Sequence, residues 1–129
     1  MNKELIKNII VEYQEFVFNK TFMERPFVLE EHANYVFVGL RRSGKSHLMY
    51  QQIHRLIKNG HTIDEILYIN FEDDRLTGLL LEDLDTIKLS YEELYPSRPI
   101  FFLDEIQIIP QWEKFVRRLA DIGYQIYVT

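Results

Sequence analysis

The sequence predicts an α/β fold, a parallel sheet flanked by helices, and three observations predict it. Strand-like and helix-like segments alternate along the chain after an N-terminal helical stretch, the order that builds parallel sheets with right-handed crossovers. Residues 100–103, Ile-Phe-Phe-Leu, are an unbroken apolar run, as a strand covered on both faces requires. A glycine-containing turn at residues 39–46 stands between a strand pattern and a helix pattern.

The elements follow in order. Leu5, Ile6, Ile9, Ile10, Tyr13, Phe16 and Val17 recur every three to four residues with charges between them, which predicts an amphipathic helix of about four turns within residues 1–20. Its polar face has no basic excess, so packing on the domain is expected rather than contact with a membrane surface. The periodicity lapses through residues 19–34 around Pro26. Residues 35–38, Tyr-Val-Phe-Val, predict the first strand, and Leu48, Met49, Gln52, Ile53, Leu56 and Ile57 mark the inner face of the helix after the turn. Asn59-Gly60 is its stop signal. A second strand is expected at residues 66–71 and a helix at residues 79–95, broken near Ser90, with Leu80, Leu81, Leu84, Ile87, Leu94 and Tyr95 inward. The turn Pro96-Ser97-Arg98-Pro99 leads into the third strand. A helix at residues 111–122, anchored by Trp112, Phe115, Val116 and Leu119, ends at Gly123, and a fourth strand starts at residue 125.

Composition narrows the function classes. A chain of 129 residues has room for one domain at most. At 47% hydrophobic and 27% charged residues it is ordinary globular material. A net charge of −5 argues against a self-contained nucleic-acid binder, which carries a basic face, although Arg41-Arg42 and Arg117-Arg118 are local basic pairs. Cysteine is absent, so disulfides and cysteine metal sites are out, which suits a reducing cytoplasm. No run approaches the roughly 18 apolar residues of a membrane span. His32, His47, His54 and His61 have no metal-binding spacing and are expected as scattered surface residues.

The chemistry lies in two stretches. Gly39-Leu40-Arg41-Arg42-Ser43-Gly44-Lys45-Ser46 matches the phosphate-binding pattern G-x-x-x-x-G-K-[ST] without a mismatch. The two glycines let the backbone approach an anion, and the N–H groups from Leu40 to Ser46 then form a concave nest for phosphate oxygens. The following helix, with His47 in its first turn, aims the positive end of its dipole at the same place. Lys45 would bind the β- and γ-phosphates, and the Ser46 hydroxyl would be a ligand of Mg²⁺. The side chains of Arg41 and Arg42 are expected to face away from the phosphates. Asp104-Glu105 ends the apolar third strand, and ligands of open α/β sheets bind beyond the carboxyl ends of the strands. Asp104 would share Mg²⁺ with Ser46, and Glu105 would polarise the attacking water. Gln107 either senses the γ-phosphate or closes the strand. Asp73 and Asp74 end the second strand on the same side.

Together with Leu103-Asp104-Glu105-Ile106-Gln107, Trp112-Glu113-Lys114-Phe115 and Tyr68-Ile69-Asn70-Phe71-Glu72-Asp73, the phosphate loop resembles that of a family of bacterial and archaeal AAA-type ATPases. The resemblance spans about residues 25–129. It implies the P-loop ATPase fold in which the fourth strand lies between the phosphate-loop strand and the Walker B strand. It also implies ATP and Mg²⁺ as cofactors and hydrolysis coupled to a conformational change. In that family the fourth strand leads to a sensor residue, a fifth strand, trans-acting arginines and a C-terminal domain. The chain is therefore expected to be the N-terminal part, 1–129, of one ATPase domain, with the nucleotide-binding core at 35–129, and to bind ATP weakly at best without the remainder of that domain. An unpaired first strand would invite self-association into a homo-oligomer; a protein partner is expected but not named by any residue, and DNA suits the class without support from charge. A nucleotide-dependent switch that binds ATP without turnover is the competing reading. A small-molecule kinase is weaker, for no substrate lid is visible. A GTPase is weaker still, since neither D-x-x-G nor N-K-x-D occurs.

Overall fold

The computed structural model of the chain describes residues 2–21, 34–36 and 44–129. Helix α1, Lys3–Phe18, starts at Asn2, whose side chain accepts hydrogen bonds from the backbone N–H groups of Glu4 (2.9 Å) and Leu5 (3.3 Å), as an N-cap should. Then come β1 (Tyr35–Val36), α2 (Lys45–Lys58), β2 (Ile66–Asn70), α3 (Leu81–Leu94), β3 (Ile100–Asp104), α4 (Trp112–Asp121) and β4 (Ile126–Val128). The four strands form one parallel sheet in the order β1-β4-β3-β2. Strand β4 therefore lies between β1 and β3, the arrangement that the family resemblance implies.

Strand alternation sorts the core into two layers. Ile66, Tyr68, Ile100, Phe102 and Tyr127 pack with Met49, Tyr50, Ile53 and Leu56 of α2. Leu67, Ile69, Phe101, Leu103, Ile126 and Val128 face the other way, onto Leu84 and Ile87 of α3 and Phe115 and Leu119 of α4. Both faces of β3 are thus covered, which is why its sequence carries no polar alternation.

Helix α1 straddles the outer strand β2. Ile6, Ile9 and Ile10 join the α3–α4 layer, while Val17 joins the α2 layer. Between them the buried Gln14 donates to the Ile66 carbonyl at 3.0 Å and accepts from the Tyr95 hydroxyl at 2.8 Å. Intramolecular packing, expected from the charge pattern, is what α1 does, although Leu5 and Phe16 of the predicted stripe remain exposed.

Three expectations are corrected. Helix α3 begins at Leu81 and continues through Ser90, whose hydroxyl turns back to donate to the Thr86 carbonyl at 2.7 Å; a serine satisfied this way need not break a helix. Leu80 is 51% exposed rather than inward, because it precedes the helix and its N–H donates to the Asp83 carboxylate at 2.9 Å. Trp112, at the first position of α4, is only half-buried, and Phe115 and Leu119 make the anchor. The remainder of the first predicted strand, Phe37 and Val38, lies outside the described residues. Among the described residues no helix is long and apolar enough to cross a membrane.

Candidate functional site

The start of α2 and the end of β3 meet at one end of the sheet. Helix α2 is preceded by Gly44 at φ 121°, a conformation that glycine adopts without steric cost. Among the described residues no side chain caps the helix, and no acid occupies its first turn. The N–H groups of Lys45, Ser46 and His47 thus stand at the positive end of the helix dipole with no carboxylate of that turn to neutralise it. Lys45 and Ser46 are half-buried, and His47 is exposed with its ring edge-on to Tyr50 at 5.4 Å. Gly39, Leu40, Arg41, Arg42 and Ser43 lie outside the described residues.

Asp104 is fully buried at the last position of β3. Its Oδ2 accepts from the Ser46 hydroxyl at 2.6 Å and from the Tyr68 hydroxyl. Its Oδ1 accepts from the Thr129 hydroxyl at 2.7 Å. Among the described residues no Lys, Arg or His forms an ion pair with it. Buried carboxylates are ordinarily paired with a cation or a metal. A serine hydroxyl and an aspartate carboxylate in contact make a hard oxygen donor pair of the kind Mg²⁺ takes alongside water and phosphate oxygens. Burial above all, and then the charge of Asp104, push the Tyr68 phenol far above its ordinary range, so it stays a neutral donor.

Glu105 follows in a left-handed conformation, φ 58°. A non-glycine residue held there costs on the order of 1–3 kcal/mol, and such residues cluster at functional sites. Its N–H donates to the Thr129 hydroxyl at 2.8 Å, so one threonine side chain ties Asp104 to the backbone of Glu105. The exposed Gln107 donates its side-chain amide to the Glu105 carboxylate.

The sequence gives neither Tyr68 nor Thr129 a role at the site, since neither belongs to the phosphate loop or the acid pair and Tyr68 enters only through the second-strand resemblance. The usable signal is parity. Asn70 pairs with Asp104 and Tyr68 with Phe102 in the β2–β3 register, so Tyr68 projects from the same face as Asp104. Asp73, expected near the site, is engaged elsewhere: its carboxylate accepts from Arg75 (2.8 and 3.0 Å) and from the Tyr13 hydroxyl (2.9 Å). Those bonds, Arg75 first, lower its pKa to about 2.

A family model described as an AAA domain matches residues 31–129. An uncharacterized protein of Methanocaldococcus jannaschii, MJ1544, is 34% identical over 129 residues, covering 98% of this chain and 28% of that protein. An uncharacterized protein of Haemophilus influenzae is 36% identical over 87 residues, covering 65% of this chain and 21% of that protein. The chain therefore spans about a quarter of the length of these relatives. No solved structure matches it. With a domain match over residues 31–129 and a relative aligned along nearly the whole chain, this protein belongs to the AAA-type ATPase family, whose members share a nucleotide-binding, ATPase-like function.

Proposed function

We propose that the chain carries the phosphate loop and acid pair of an Mg²⁺-dependent ATP hydrolase whose turnover drives a conformational change in a larger protein. The observation that carries this reading is the 2.6 Å hydrogen bond between Ser46 and the buried Asp104. The residue after the loop lysine and the acid of an apolar strand are thereby in direct contact.

In this reading the N–H groups from Leu40 to Ser46 would cradle the phosphates in the loop between Gly39 and His47, with Leu40, Arg41, Arg42, Ser43 and Gly44 contributing backbone rather than side chain. Lys45 places its ammonium on the β- and γ-phosphates. Ser46 and Asp104 would hold Mg²⁺, which when bound neutralises charge building on the β- and γ-phosphate oxygens. Glu105 orients a water in line with the γ-phosphorus and takes its proton as the new P–O bond forms. The bond from phosphorus to the bridging oxygen breaks, and ADP leaves with the electron pair. The strained backbone of Glu105 and its tie to Thr129 fix where that carboxylate starts from.

A switch that binds ATP without turnover uses the same cradle but needs no water-polarising acid. Substitution of Glu105 separates the two. Glu105→Gln is expected to lower phosphate release by about 10²- to 10⁴-fold and to leave MgATP bound, measured by steady-state release of phosphate and by retention of radiolabelled ATP. Equal, residual phosphate release from both forms favours the switch. Absence of ATP binding by the unaltered protein defeats both readings.

A further inference from the structure

We propose that Tyr68 is a positioning residue for Asp104, a fixed phenol whose hydrogen bond holds the carboxylate in register with Ser46 for a divalent cation. This rests on the reading of Ser46 and Asp104 as a cation site. Among the described residues Asp104 has three hydroxyl donors, and they are not equivalent. Ser46 is the proposed cation ligand, and the hydroxyl of Thr129 is shared with the N–H of Glu105. Tyr68 has Asp104 as its close partner; the next hydroxyl, that of Tyr50, is 3.5 Å away.

The ring is not free to turn. Tyr68 is 1% exposed. It is packed edge-on by Tyr13 from α1, with ring centroids 5.3 Å apart, and tilted against Tyr50 from α2 at 5.7 Å. A phenol locked between two helices delivers its proton to one point, the Oδ2 that Ser46 also contacts. An aliphatic side chain would fill the same core volume, so packing alone gives no reason for a hydroxyl here. Groups that orient metal ligands from behind commonly change metal affinity by about 10- to 100-fold when removed.

The test is Tyr68→Phe, which keeps the ring and deletes the hydroxyl. Affinity for ATP is measured in EDTA, and Mg²⁺ is then titrated into the protein–ATP mixture while binding is followed. The expected result is a Mg²⁺ midpoint raised about tenfold, with affinity in EDTA within about twofold of the unaltered protein. Tyr13→Phe is the packing control: its ring also touches Tyr68 but its hydroxyl bonds Asp73, and its Mg²⁺ midpoint should match that of the unaltered protein. An unchanged midpoint in Tyr68→Phe, or an equal shift in Tyr13→Phe, overturns the proposal. A lowered melting temperature with an unchanged midpoint marks a merely structural hydroxyl and also overturns it. Failure of the unaltered protein to bind ATP overturns the functional reading and this inference with it.

Discussion

Gln14 is a buried amide in an otherwise apolar helix stripe, and its two bonds explain its presence. Strand β2 lies at the margin of the sheet, where backbone groups lack a neighbouring strand. The Gln14 amide donates to the Ile66 carbonyl in place of such a strand, and its oxygen accepts the Tyr95 hydroxyl. Replacing Gln14 with Leu keeps the volume and orphans both groups. The expected cost is about 1–3 kcal/mol, the range for leaving buried polar atoms unpaired. It would appear in urea unfolding as a lower midpoint at unchanged slope. Helical periodicity marks the face on which residue 14 lies but gives no sign of a strand carbonyl waiting there. The site has the same limitation. Ser46 and Asp104 can be named from two short motifs, whereas Tyr68 and Thr129 reach Asp104 from 36 and 25 residues away. Only the folded sheet makes those separations short.

At the scale of elements, α1 is fastened to the segment after β2 by an ion pair and a hydrogen bond as well as by its apolar face. Arg75 bonds Asp73 and also reaches Glu12 of α1 at 2.6 Å, and Tyr13 of α1 donates to Asp73. Because the folded state holds Asp73 at about 2, below its ordinary 3.8, this group stabilises the fold above pH 4. That contribution fades as the pH falls through the folded value. The sign is that of a depressed carboxylate, with a magnitude on the order of 2 kcal/mol. Asp73→Asn is therefore expected to be less stable at neutral pH and to lose less stability than the parent between pH 4 and 2, measured by denaturant midpoints across that range. Glu93, held down to about 2 by Lys3 and Lys7, acts in the same direction between α3 and α1. The major helices were legible because the period of their apolar residues matches the layer each one covers, and strands β2 to β4 because their apolar runs suit a sheet covered on both faces. The α3 boundary was not, since Leu80 looks like one more apolar residue of the stripe until Asp83 is seen bonding its N–H. Ser90 likewise resembles a breaker until its hydroxyl is seen bonded one turn back.

For the whole molecule, the order β1-β4-β3-β2 matters because it brings the end of the Asp104 strand beneath the helix that carries Lys45 and Ser46. The apolar run of residues 100–103 and the alternation of elements made the parallel sheet readable in advance. The lateral order came from resemblance, since no pattern within a strand says which neighbour it will take. One consequence concerns stability. Asp104 is buried with no cationic side chain paired to it among the described residues, and the first turn of α2 carries positive potential without a side-chain cap. A buried negative carboxylate and a positive helix terminus thus stand side by side, an arrangement that MgATP would satisfy at both ends, cation to carboxylate and phosphate to helix. A ligand that binds only the folded state at a hundredfold its Kd adds about 2.7 kcal/mol. For a chain of 129 residues that corresponds to a rise in Tm of roughly 10 °C. ATP with Mg²⁺ is expected to produce this rise in a thermal melt, ATP in EDTA a smaller one, and Lys45→Ala none. A rise of equal size with and without Mg²⁺ would show that Asp104 takes no part in holding the ligand and that the helix terminus binds phosphate alone.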